Sequence, residues 1–426
     1  MTNRSTQIFV LILFFIAVLM GYNYFAKPFL SVDTVVEEVK EEVNAELAEN
    51  YIDERLKILN ELTTEQKISQ LIAYSLVINS ELDDSNEAKD SKTVGLSSTS
   101  SAELTKLDPG IITLFGSNVS FDNASSHLKQ IKELFNNKAL QPLIAVDHEG
   151  GSVQRLSGEG FTQLPSLKEM CDADKYDLQQ QLFSSAKELS DLGVNIIFAP
   201  VLDIDSKVLG DRSCSDYDSL LITSIEFIKV FGDQQILPVI KHFPGLGQTS
   251  KDLHKFPDSI QLNENDTLIF SKVLDIYPNI GVMSSHVQIK DMLEGKPCSM
   301  SEECLSVFNN KMPLVILFTD ALEMGALNSS ANDFVKNFSF LELDVSDGNT
   351  LSKTSLLQEE KLSVLSYQAI MAGNNVLVFG SGVEANQLTK VVKELSAHYE
   401  QDEEFAKKVN ESLIKILAVK KIHHDQ

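Results

Sequence analysis

Beyond residue 51 the chain alternates short apolar runs with longer stretches of helical period. Eight runs rich in Ile, Leu, Val and Phe occur at 71–78, 110–115, 142–146, 194–199, 236–240, 280–284, 314–318 and 375–379. Runs this short and apolar predict strands buried on both faces, as in a parallel sheet. Helical spacing marks 125–137, 175–192, 216–231 and 385–422. The alternation predicts an α/β protein, as a closed (β/α)8 barrel of the TIM type or, in competition, a doubly wound open sheet.

The placement of ionisable residues favours the barrel. Asp147, Asp203, Lys241 with His242, His286 and Asp320 follow the third to the seventh runs in turn. In a barrel those strand ends share one face, so residues far apart in sequence converge on one pocket. Two polar excursions interrupt the alternation. Residues 81–101 read as a long exposed loop, and 328–360 as an insertion that forms either a lid or a surface excursion.

The N-terminus follows a different pattern. Residues 8–25 carry no charge, Arg4 precedes them and Lys27 follows. At about 1.5 Å per residue this run is near the minimum for a membrane span. No small-residue cleavage site follows it, which favours an uncleaved signal anchor over a removed signal peptide. Arg4 places the short tail 1–7 on the cytoplasmic side and the rest of the chain outside. In 32–47, Val32, Val35, Val36, Val39, Val43 and Leu47 recur at helical spacing among glutamates. Such a stripe forms a stalk, binds a partner or, most commonly, packs on the domain; 26–57 read as an acidic helical stalk or linker and 58–422 as the barrel.

At 426 residues and 43% hydrophobic, the chain is long enough for a large core. A formal net charge of −25 argues against nucleic acid as a partner. Cys171, Cys214, Cys298 and Cys304 form no Cys-x-x-Cys or Cys/His cluster, so no structural metal is expected. Spacing permits a Cys298–Cys304 bridge without establishing it.

Candidate chemistry concentrates in Lys241-His242-Phe243-Pro244-Gly245-Leu246-Gly247, followed by Asp252-Leu253-His254. Gly245 and Gly247 allow a sharp turn and a loop able to swing. Asp252 can accept from one ring nitrogen of His254 and direct the other toward a substrate, although an isolated Asp-x-His is commonly a surface pair. Asp320 ends the run Leu314-Val315-Ile316-Leu317-Phe318-Thr319, where a carboxylate suits either a nucleophile or the N-cap of the next helix.

These stretches resemble the β-N-acetylhexosaminidases of glycoside hydrolase family 3, whose signature is Lys-His-Phe-Pro-Gly-His-Gly, four residues, then Asp-Ser-His. Asp147-His148-Glu149-Gly150-Gly151-Ser152-Val153-Gln154-Arg155 and Gly210-Asp211-Arg212-Ser213 are similar to further family motifs in the same order. The resemblance covers about residues 60–422. It implies Asp320 as nucleophile, and His254 as general acid and base on a mobile loop, oriented by Asp252. It also implies Asp147, Arg212, Lys241 and His242 as sugar-binding residues, with no metal or cofactor.

The implied activity is an exo-acting retaining β-N-acetylglucosaminidase on peptidoglycan- or chitin-derived glycans. Alternatives are a phosphorylase on the same scaffold, or a membrane-tethered sugar-binding protein without turnover. Leu246, Ser152, Leu253 and Asn375 depart from the family's usual His, Arg, Ser and Asp.

Overall fold

In a computed structural model of the chain, residues 55, 57–78, 98–292, 295–311, 315–328, 330, 334 and 358–424 are described. The chain divides into two units, Met1–Asn60 and Glu61–Gln426. The anchor expected at 8–25 and most of the stalk at 26–57 lie outside the described residues, as do 81–97 of the first excursion and most of the second. Among the described residues no helix is long and apolar enough to cross a membrane.

The second unit carries the eight expected strands: β1 (Ile72–Val77), β2 (Ile111–Phe115), β3 (Leu143–Val146), β4 (Ile196–Ile197), β5 (Leu237–Phe243), β6 (Gly281–Ser284), β7 (Ile316–Thr319) and β8 (Leu377–Phe379). All neighbours pair in parallel, in the order β7-β6-β5-β4-β3-β2-β1-β8. A parallel bridge from Phe318 to Val376 joins the two ends, with the Thr319 amide donating to the Val376 carbonyl at 3.0 Å. That bridge makes the sheet a barrel and excludes the open doubly wound alternative.

A helix follows each strand: α1 (Ser98–Leu107), α2 (Phe121–Leu134), α3 (Lys175–Leu192), α4 (Tyr217–Asp233), α5 (Glu264–Ile276), α6 (Glu302–Lys311), α7 (Gln358–Ala372) and α8 (Ala385–Tyr399). A final helix, α9 (Glu403–His424), completes the ring. Side-chain caps set several boundaries. Ser120 accepts from the Asn123 amide, so α2 begins before its apolar stripe does. Asp402 accepts from the Glu404 and Phe405 amides at 3.0 Å each and splits the expected 385–422 helix in two.

The core has an inner and an outer layer. Outward residues alternate along strands, as Ile112 with Leu114 and Ile144 with Val146, and pack on Leu128, Leu182 and Phe231 of the helices. Inside, Phe198 beyond β4 meets Phe318 of β7 edge to face at 5.8 Å, a contact that non-adjacent strands make only across the barrel interior. Gly281 leaves room for this filling, since a Cβ there would stand 2.7 Å from Val239 and 2.9 Å from Phe318. With the bottom packed and every connection after a strand opening at the same end, the chemistry is confined to the C-terminal mouth.

Candidate active site

The first wall of the mouth is ionic. After β3 the chain makes a small antiparallel hairpin, His148–Gly150 with Val153–Gln154, turned by Gly150 and Gly151 at positive φ. The hairpin turns the Glu149 carboxylate inward beside Asp147. Lys241, the fifth residue of β5, reaches across to Asp147 at 2.9 Å and Glu149 at 2.5 Å. Arg212, on the short turn Gly210–Arg212, grips Glu149 with two bonds of 2.7 and 2.9 Å.

Two cations thus hold one buried carboxylate. Burial alone would raise the Glu149 carboxyl, but Lys241 and Arg212 outweigh it and bring it down to about 2. Burial would likewise strip the Lys241 ammonium of its proton, and Asp147 and Glu149 reverse that, so its pKa is raised. Arg155 stands 4.0 Å from Asp147 and lies 4.9 Å over the Phe115 ring.

Asp203 is fully buried behind this wall and fixes the next residue of β5. Its carboxylate lies 2.6 Å from His242 Nδ1 and accepts the Leu246 amide at 2.7 Å. The strand runs to Phe243, so Lys241 and His242 belong to its last turn of pleat, not to the loop after it. Gly245 and Gly247 are tightly packed: a Cβ would come within 2.8 Å of the Asp266 side chain at the first and 2.3 Å of the Ile204 carbonyl at the second. They serve close approach at the loop's root, so any swing must come from further along.

Asp320 follows β7, its amide donating to the Ser284 carbonyl at 2.9 Å and its Oδ1 accepting from the Ala321 amide at 2.8 Å. Burial would raise its carboxyl; His242, His286, the Ala321 amide and His254 more than offset this and hold it below the usual carboxylate range. The group is therefore an anion, as a nucleophile requires. His286, after β6, contacts the Ala321 carbonyl through Nε2 at 3.0 Å, so that nitrogen carries the proton, and Nδ1 accepts from Ser299 at 2.7 Å. Burial keeps its pKa below the ordinary value. It fixes the Ala321–Leu322 peptide, one residue beyond Asp320.

The second wall is the loop carrying the dyad. His254 Nδ1 lies 2.9 Å from Asp252 Oδ1, which also accepts the His254 amide at 3.0 Å. The imidazole is 71% exposed, leaving Nε2 open. Asp252 is pulled below its usual value despite the burial that would raise it, chiefly by bonding to His254. The loop is tied to the segment after Asp320: Gly325 N donates to His254 O at 2.8 Å and Ala326 N to Leu253 O at 3.1 Å. Beneath it Leu246 and Leu253 pack with Ile260, Val287, Met324 and Ala326 in an apolar seat. Two of the departures from the family pattern thus meet in one cluster.

Asp320 faces His242, His286 and His254, Asp252 is bonded to His254, and His242 adjoins Lys241 of the wall that Asp147, Glu149, Lys241 and Arg212 form. Three participants were not assigned a role from the sequence. Glu149 was legible only as an acid two residues beyond Asp147; Asp203 and His286 gave only their positions at strand ends. Asn375 is structural, accepting from the Leu317 amide at 2.9 Å and donating to Ser412 at 3.0 Å. Ser152 is exposed at the hairpin tip.

Both disulfides brace site segments. Cys171–Cys214, with a Cα separation of 6.5 Å, anchors the chain just after Arg212, and Cys298–Cys304, at 5.3 Å, anchors Ser299 beneath His286. The first pair had no signal in the sequence. Among the described residues no group of three His, Cys, Asp or Glu side chains is placed to share a metal ion.

Fold and site together define a (β/α)8 barrel whose clustered acids and bases lie at the strand C-termini. The chain belongs to glycosyl hydrolase family 3: the family's N-terminal domain matches residues 63–418. It is 34% identical over 204 residues to a β-hexosaminidase of Idiomarina loihiensis, covering 43% of this chain and 60% of that protein. To a β-hexosaminidase of Shewanella frigidimarina it is 30% identical over 256 residues, covering 56% and 73%. A crystal structure of β-N-acetylhexosaminidase from Beutenbergia cavernae superposes with a TM-score of 0.67 at 20% identity, covering 85% of this chain and 99% of that one. Mycobacterium tuberculosis LpqI superposes at 0.64 with 22% identity, covering 86% and 96%.

Proposed function

We propose that the protein is an exo-acting retaining β-N-acetylhexosaminidase that removes terminal N-acetylglucosamine from peptidoglycan- or chitin-derived glycans. The observation carrying this reading is the pairing of an anionic Asp320 with a His254 imidazole whose loop is bonded to Asp320's own segment. Asp320 attacks the anomeric carbon while His254, as imidazolium, gives its proton to the leaving oxygen. The neutral imidazole then takes a proton from water, which attacks the glycosyl-enzyme and frees Asp320. Asp147 and Arg212 keep partial exposure and bond sugar hydroxyls, whereas Lys241 and His242 act mainly by holding Asp147 and facing Asp320. The names of the relatives support the substrate class.

The N-terminal run 8–25 serves as a membrane tether with the barrel outside the cytoplasm. Two disulfides support that compartment.

An aryl β-N-acetylglucosaminide assay tests the reading. Asp320→Ala is expected to lose at least about 10⁴-fold in kcat/KM. His254→Ala is expected to lose about 10²–10⁴-fold, and less with a good leaving group than with a poor one. Near-normal turnover in both variants ends the proposal, as does calorimetry showing sugar binding by a wild type that never turns over. Running the assay with and without phosphate, and looking for a sugar 1-phosphate, separates hydrolysis from phosphorolysis.

A further inference from the structure

Glu323 stands three residues beyond Asp320, on the segment to which the dyad loop is bonded. Its carboxyl accepts from the backbone amide of Gly380, just past the end of β8, and from its own amide. The approach is close enough that a Cβ on Gly380 would fall 2.0 Å from Oε1, so glycine is what admits the carboxyl. Its Oε2 is buried and has no hydrogen-bond partner among the described residues. The charged groups facing it are Asp320 from its own segment and His254 from the dyad loop; β8 presents the Gly380 amide.

Two carboxylates this near one another do not both ionise readily, and the proton settles on the one with fewer donors. Asp320 has the Ala321 amide and faces three imidazoles, while Glu323 has the Gly380 amide and its own amide and keeps a bare Oε2. We propose that Glu323 is a positioning residue that braces the Asp320 segment against β8 as an uncharged carboxylic acid, leaving Asp320 as the single anion opposite His254. Burial and the charge of Asp320 both push the Glu323 carboxyl above its usual value, against the Gly380 amide and His254. Ionisation of Glu323 at higher pH puts a second negative charge beside the nucleophile and adds to the alkaline fall that loss of the His254 proton produces. The inference rests on the glycosidase reading above.

The test compares pH profiles of kcat and kcat/KM for wild type, Glu323→Gln, Glu323→Ala and Gly380→Ala. Gln is isosteric and cannot ionise, so it retains most of the turnover and its alkaline limb loses the Glu323 component, falling at higher pH and less steeply than that of wild type. Ala removes the brace and Gly380→Ala expels the carboxyl from its amide; each lowers kcat about tenfold or more with a smaller change in KM. Coincident alkaline limbs in wild type and Glu323→Gln overturn the proposal, and so does a Gln variant as slow as Ala at every pH.

Carbon-13 titration of the glutamate carboxyls, with Glu323 identified by the resonance missing in the Gln variant, needs no turnover. It therefore separates failure of this inference from failure of the glycosidase reading. A midpoint above 4.5 is expected, and one at or below it refutes the neutral acid.

Discussion

The two walls of the active site are built from opposite materials. One is a buried lattice of charges in which Lys241 and Arg212 share Glu149, and every partner sits on a strand or a braced turn. The other is an exposed dyad resting on an apolar seat of Leu246, Leu253 and Met324, tied down by two backbone bonds. Charges fixed in low dielectric hold geometry rigidly but tolerate no missing partner. An apolar seat is forgiving in direction and lets the loop lift when its contacts are weakened. A site that must both orient a sugar and admit it uses the first material for orientation and the second for access.

Removing a member of the rigid wall is expected to have the largest effect. Glu149→Ala takes from Arg212 its carboxylate partner and leaves the buried Lys241 with Asp147 alone, and should cost about 3 kcal/mol in chemical denaturation. A loss below about 1 kcal/mol would show that the lattice is solvated after all.

The same carboxyl gives a pH signature. Its folded pKa is depressed from 4.5 to about 2, so its contribution is fully present above 4.5 and is lost as pH falls from there toward 2. The amount is on the order of 3 kcal/mol. Thermal unfolding across that window should therefore be steeper in wild type than in Glu149→Ala, and parallel curves would contradict the assignment.

On the forgiving wall Leu253→Ala should cost about 2 kcal/mol, the low end for a buried leucine, because the seat lies at the rim. Its effect should be local, seen as faster hydrogen exchange at the Gly325 and Ala326 amides with exchange on the ionic wall unchanged. Equal acceleration on both walls would erase the distinction drawn here.

The smallest change in stability is expected for Gly325→Ala. Its Cβ would meet the Lys255 carbonyl oxygen at 2.5 Å and that of His254 at 2.9 Å, forcing the dyad loop outward. Stability should fall by about 1 kcal/mol, since the clash is with backbone but the exposed loop rather than the barrel gives way. kcat should fall about tenfold at nearly constant KM, because the acid is displaced while the sugar-binding wall is intact.

The sequence by itself determined the barrel's strands and the catalytic candidates at their ends. Uniformly apolar runs admit no other stable placement than a doubly covered parallel sheet, and a charge just past such a run has only the strand's mouth to occupy. It also carried the Asp252–His254 pairing, because two residues of separation suffice for that contact.

What only the tertiary structure decided are relations between distant segments. Closure of the sheet rests on Phe318 meeting Val376, the ionic wall on Lys241 reaching Glu149, and the loop's seat on Leu246 and Leu253 finding Met324. None of these has a local signal, since each partner is satisfied by residues that come near only once the barrel has closed. Hydrophobic period encodes which face is buried, but not against what; that choice belongs to the packed fold.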